Sequence, residues 1–248
     1  MAEASEATRD SRSPYQLVLG DELPGLHPRL RAYFGAIPTG HVGQGRGRFS
    51  RVGTPRRILW PILAILQAEG ILFPVWQSDV LFSVTNRSTT DPNGSAAVAA
   101  SRTFELKGGN RTMVDAITVE GSTLVDYLGT GRRFRAELVA SVQDGALRLR
   151  SDRMAVRLGG RYRPVPEILA PTVRLTERFD EATDRQHVSV VLESRWLGRI
   201  YEYSGSFAYE VVAERAQRSA GAGSGSAVGA GTDTAIDRAS LIRGSGDE

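Results

Sequence analysis

The sequence predicts an α+β protein that is mainly β: a strongly curved antiparallel sheet, or incomplete barrel, of roughly eight to ten strands. The sheet is expected to enclose an apolar helix and to follow short N-terminal helices. Apolar residues alternate with period two through most of the chain beyond Trp76. Turn sequences, DPNG, GGN and QDG among them, separate these runs at hairpin spacing. The connections are too short for parallel crossovers, so neighbouring strands run antiparallel. A sheet with so many strands must curl or close.

In chain order, SPYQLVLG and HPRLRAYFG read as two short helices, with Pro14 and Pro28 near their starts and Gly20 and Gly35 at their ends. HVGQGRGRFSRV follows as a Gly-rich strand. Its GxGxG at Gly43, Gly45 and Gly47 invites comparison with a nucleotide loop. A dinucleotide fingerprint needs a buried strand before it and a helix opening on its last glycine. Here a turn and a proline precede, and strand-like residues follow.

The most apolar stretch is RILWPILAILQAEGILFPVW, Arg57 to Trp76. A membrane helix needs about 20 mainly apolar residues, and Pro61, Gln67, Glu69, Gly70 and Pro74 interrupt this one. The expected local structure is a turn opened by Thr54 and Pro55, then a helix from Pro61 closed by Gly70. Because it is apolar almost all round, the helix is expected to be buried on the concave face of the sheet.

Strands follow. Trp76, Val80, Phe82 and Val84 share one face, then Phe104 and Leu106, then Met113, Ile117 and Val119. LVDYLGTG is a further short strand. Alternation from Phe134 to Val142 ends at QDG. Leu147 and Leu149 hand over to Met154, Val156 and Leu158 with a change of parity, which predicts a bulge near Ser151–Asp152. RYRPVPEILAP is a proline-punctuated crossing loop. Strands through Leu175 and Val190 precede the last, where Tyr201, Tyr203, Phe207 and Tyr209 lie on one face.

Residues 1–13 are polar and aperiodic, and residues 219–248 are rich in Gly, Ala and Ser. Both are expected to be disordered tails around a single domain over 14–218. The start has no basic segment followed by an apolar h-region, which leads us to expect a cytoplasmic protein. Net charge is +3, Lys107 is the only lysine, and acidic and basic residues interleave along the chain. No nucleic-acid partner is therefore expected. The two tails are net acidic, so the middle is more basic than the whole chain and could tolerate an anionic partner.

There is no cysteine, which excludes disulfide scaffolds and thiol nucleophiles. His27, His41 and His187 lie far apart without metal-ligand spacing. No Ser-His-Asp arrangement, Walker loop or cofactor motif occurs, so neither a cofactor nor a metal is expected. Three charged residues nevertheless fall on apolar parity: Arg102 before Phe104, Asp115 between Met113 and Ile117, and Glu177 between Leu175 and Phe179. Buried charge is costly without a partner, so Arg102 is expected to pair with one or both carboxylates inside the curved sheet. Such a group could be a structural ion pair, could hold a ligand's polar head, or could make Asp115 or Glu177 a general acid or base. Trp60, Phe73, Trp76 and Tyr203 are the expected apolar wall.

The order of landmarks from about Ser13 to Val212 resembles the bacterial domain-of-unknown-function family 4166, DUF4166. The resemblance rests on SPYQLVLGDELPGLHPRLRAYF, GQGRGRF, the apolar helix, SRTFELKGG, RYRPVPEILAP and GRIYEYSGSF. It supplies no catalytic residues. Some members are fused to NAD(P)-binding, dehydrogenase-like modules, which implies a companion role. The expectation is a domain, leaning to the non-catalytic, that binds an apolar or amphipathic, lipid-like small molecule. The alternatives are an accessory module for a separate NAD(P)-dependent redox enzyme, or an enzyme using Asp115 or Glu177 for proton transfer.

Overall fold

The computed structural model describes residues 12–214. The expected tails lie outside the described residues except for Arg12 and Ser13, and Ser13 is part of the fold. Its hydroxyl accepts from the Gln16 N–H at 3.2 Å while the Gln16 side chain accepts from the Ser13 N–H at 2.8 Å. This reciprocal cap starts α1 (Pro14–Leu19), and Pro14 costs nothing where its missing N–H would be unpaired anyway. α2 (Pro28–Tyr33) starts the same way on Pro28, capped by His27.

The strands are β1 (His41–Gly53), β2 (Trp76–Gln77), β3 (Val80–Thr90), β4 (Ala96–Leu106), β5 (Gly109–Glu120) and β6 (Thr123–Leu128). Then come β7 (Phe134–Gln143), β8 (Ala146–Leu158), β9 (Arg161–Pro164), β10 (Thr172–Asp180), β11 (Arg185–Ser194) and β12 (Gly198–Ala213). Every pairing is antiparallel. The QDG signal makes a tight hairpin because Asp144 and Gly145 both take positive φ, 52° and 75°.

The sheet closes, which corrects the expectation of an open or incomplete barrel. β1 joins β12, and Leu147–Arg150 of β8 pair with Arg174–Glu177 of β10. Ten strands thus form a continuous ring, with β2 and β9 as short additions. The predicted bulge makes this possible. Register shifts at Asp152, where Glu137 faces Arg153 and Leu138 faces Ser151. Before the bulge β8 is paired with β10; after it, with β9. At the parting, the Ser151 hydroxyl accepts from the Val173 N–H at 2.8 Å. Closure leaves the main ring without open edges.

The GxGxG of β1 is a packing device. A Cβ on Gly45 would stand 2.7 Å from a Val84 methyl and 2.9 Å from the Phe207 ring, and one on Gly47 would overlap the Ser206 carbonyl. The glycines let β3 and β12 press against β1.

Two apolar clusters pack the barrel interior. α1 and α2 close one end, packing Leu19, Leu26, Leu30 and Phe34 on Ile117, Leu124 and Leu147. An aromatic group around Phe49, Phe82, Phe104 and Phe207 occupies another part of the interior. α3 (Trp60–Ala68) forms as expected, with Gly70 at φ 70° just beyond it. It is not enclosed, and this corrects the second expectation. Leu63 is buried, but Ile62 and Ile65 are 57% and 68% exposed. The helix spans a barrel end instead of filling the interior. No helix among the described residues is long and apolar enough to cross a membrane.

Candidate functional site: the barrel cavity

Between the two clusters lies a cavity of about 420 Å³. Inward positions of successive strands supply its wall, including Met113, Leu138, Leu149, Leu175 and Val190. Its lining also includes Leu59, Ile62 and Leu63 from the α3 segment and Val165, Leu169 and Pro171 from the β9–β10 connection. Ile62 and Leu169 are both more than half exposed, so the cavity opens between α3 and that loop. This is the place where the β8 bulge parts β9 from β10.

The cavity has a polar patch. Arg102 on β4, Asp115 on β5, Asp126 on β6 and Glu177 on β10 all line it, with Tyr15, Tyr33 and Tyr203 beside them. Arg102 and Asp115 form a direct ion pair. Burial pushes the Asp115 carboxyl up, against the pull of the Arg102 guanidinium. Among the described residues Asp126 has no such partner. One of its carboxylate oxygens is buried without a hydrogen bond, and burial together with the charge of Asp115 raises its pKa well above the usual carboxylate range. Glu177 takes its hydrogen bond from the Gln186 amide on β11. Burial pushes it up to about 7, with Gln186 and Arg102 pulling the other way. A second cavity of about 20 Å³ touches Tyr15, Tyr33, Asn86, Arg102 and Asp115, enough room for one water.

The pairing of Arg102 with Asp115 follows the expectation. Glu177 sits in the same cavity but bonds Gln186, not Arg102. Tyr203 lines the cavity, while three of the expected wall residues do not. Phe73 is fully buried against Phe104, ring centroids 5.6 Å apart, and the Tyr201 hydroxyl accepts from its N–H at 3.4 Å. Trp60 packs at the margin of the aromatic cluster under Arg57. Trp76 is 38% exposed, with the Arg51 guanidinium 5.0 Å above its ring. The strand breaks at Ser78–Asp79, which removes Trp76 from the alternation that begins at Val80.

Asp126, Tyr15 and Tyr33 were not anticipated. Asp126 carries the same signal as the others, since it falls between Leu124 and Leu128 on inward parity. The tyrosines have none, because their helices meet the barrel only through the tertiary fold.

The described residues thus form a closed antiparallel barrel with an apolar cavity, a small polar patch and a side opening. The family model for "Domain of unknown function (DUF4166)" matches residues 26–207, and the chain belongs to this family. It is also similar to the "Uncharacterized protein YndH" of Bacillus subtilis (strain 168), 24% identical over 189 residues, covering 75% of this chain and 91% of that protein. No solved structure matches.

Proposed function

We propose that this domain binds an apolar or amphipathic small molecule inside the barrel. The observation that carries this is the 420 Å³ cavity, within the roughly 300–1,000 Å³ of small-molecule sites and lined mainly by apolar side chains. The polar patch narrows the ligand. Arg102 is already neutralised by Asp115, while burial favours the uncharged forms of Asp126 and Glu177. A carboxylate head would find no free cation there. A hydroxyl, ketone or quinone head would find acid O–H and tyrosine O–H donors, and its apolar tail would run toward α3.

Native mass spectrometry of protein purified from a bacterial host, followed by denaturing extraction, tests this. A stoichiometric adduct that extracts as a neutral lipid, isoprenoid or quinone is expected. A clean apo mass under gentle conditions, with no uptake of such compounds when added, would overturn it.

One observation favours a second reading. Glu177 lines the cavity with a pKa of about 7, suited to moving a proton at neutral pH. If it acts on the ligand, Glu177→Gln keeps the adduct but traps it chemically unchanged. If it only holds the ligand, the same ligand is recovered from both proteins.

A further inference from the structure

The rim of the open barrel end is one continuous surface. The Glu69 carbonyl accepts from Thr130 N–H at 2.9 Å, which ties α3 to the β6–β7 turn. The Tyr162 hydroxyl donates to the Arg132 carbonyl at 2.6 Å, tying that turn to β9. The Trp196 indole donates to the Ile168 carbonyl at 3.2 Å, and Arg56 Nε donates to the Arg199 carbonyl at 3.1 Å. These links return the ring to the start of α3.

On this ring Ile58, Ile62, Ile65, Ile168, Leu169 and Trp196 are all exposed, Leu169 and Trp196 by 71% and 70%. They come from three separate segments, so the patch is a surface feature and not a single greasy loop. Apolar exposure of this kind marks an interaction site. Charge identifies the partner. Arg56, Arg57 and Arg132 have no carboxylate partner among the described residues, nor do Arg157, Arg161, Arg163 and Arg195. In the same segments Glu69 is paired with Arg133, which leaves Glu167 as the uncompensated carboxylate. The opposite end presents Asp21, Glu22, Asp144, Glu181 and Asp184 around Arg29, Arg31 and Arg185, so charge is separated along the barrel. An apolar centre framed by arginines, with acid at the far end, matches the layers of an anionic bilayer: acyl chains below, phosphates around.

We propose that the open end, formed by α3, the β9–β10 loop and the β11–β12 turn, docks on an anionic lipid bilayer. Docking sets the cavity opening against the membrane, where a greasy ligand could pass without crossing water. It goes beyond ligand binding and does not depend on it, because the rim residues contact lipid whether or not the cavity is filled.

Flotation of the full chain tests this, using vesicles of equal parts phosphatidylglycerol and phosphatidylcholine against vesicles of phosphatidylcholine alone. The protein should float with the anionic vesicles and stay largely behind with the neutral ones. Each of Arg57→Glu and Arg163→Glu should lower partitioning by about five-fold or more, an effect that weakens as salt is raised. The double change Ile65→Asp, Leu169→Asp should abolish flotation; both residues are exposed, and an unchanged circular dichroism melt would show the fold intact. Failure to float with anionic vesicles, or flotation indifferent to these substitutions, would overturn the proposal and leave the rim as a surface for a protein. Adduct mass measured in solution without vesicles is untouched by either result, so the two proposals fail separately.

Discussion

Burial without full compensation gives Glu177 its properties. In the unfolded chain its carboxyl titrates near 4.5, and in the barrel it is pushed up to about 7. Between those values the folded protein binds the extra proton, so stability falls as pH rises through that window and levels off above it. The full loss should be about 3 kcal/mol, from roughly 1.4 kcal/mol for each tenfold change in proton affinity. Glu177→Gln should therefore raise the melting temperature at pH 8 and flatten the slope of stability between pH 5 and 7. An unchanged slope in urea melts across that range would show that Glu177 is not the titrating group. Arg102 behaves differently because its charge is matched. Arg102→Met leaves Asp115 buried and alone, at a cost of about 3 kcal/mol. The double change Arg102→Met, Asp115→Leu should recover most of that loss in the same denaturation assay.

Among the elements, β1 and β8 carry the architecture. β1 joins both neighbours only because glycine alternates along its inner face. Gly47→Ala would drive a methyl into the Ser206 carbonyl of β12, and backbone cannot move aside as a flexible side chain can. A loss of about 3 kcal/mol is expected, at the upper end for overpacking, read as a lower urea midpoint. An Ala variant as stable as the parent would mean that β12 can shift its register. β8 turns its bulge into an opening, since the residues beyond Asp152 leave β10 for β9. α3 supplies the other lip of the opening. Its Leu63 anchors it, while Ile62 at the cavity mouth and Ile65 stay exposed.

Across the whole molecule, the cavity and the rim lie on one axis, with the polar patch under α1 and α2 and the apolar opening at the other end. Filling the cavity separates its role in stability from its role in binding. Met154→Trp places a large ring where Met154 now lines the wall. It should leave the melting temperature the same or higher, since a void is filled, while the co-purifying adduct is lost from the native mass spectrum. A variant that melts normally and still carries the adduct would place the ligand elsewhere.

Much of this was legible in the residues, for a local reason. Which face of a strand a side chain occupies depends on the backbone of its own strand. Alternation therefore located nearly every strand, the bulge at Ser151–Asp152, and the inward positions of Arg102, Asp115 and Glu177; the same rule, applied to the short strand around Leu124, places Asp126 inward too. Other features depend on which surfaces meet, and no local pattern encodes that. The β8–β10 pairing that closes the barrel joins segments whose own patterns are equally at home in an open sheet. The choice of Gln186 over Arg102 for Glu177 follows from β11 lying beside β10. The same holds for α3. Its apolar composition predicts burial, yet among the described residues it packs on a barrel rim with one side only, so its isoleucines stay exposed. The arginines interleave with acids along the chain, and folding brings Arg56, Arg57, Arg132, Arg157, Arg161, Arg163 and Arg195 to one end because the segments that carry them share it.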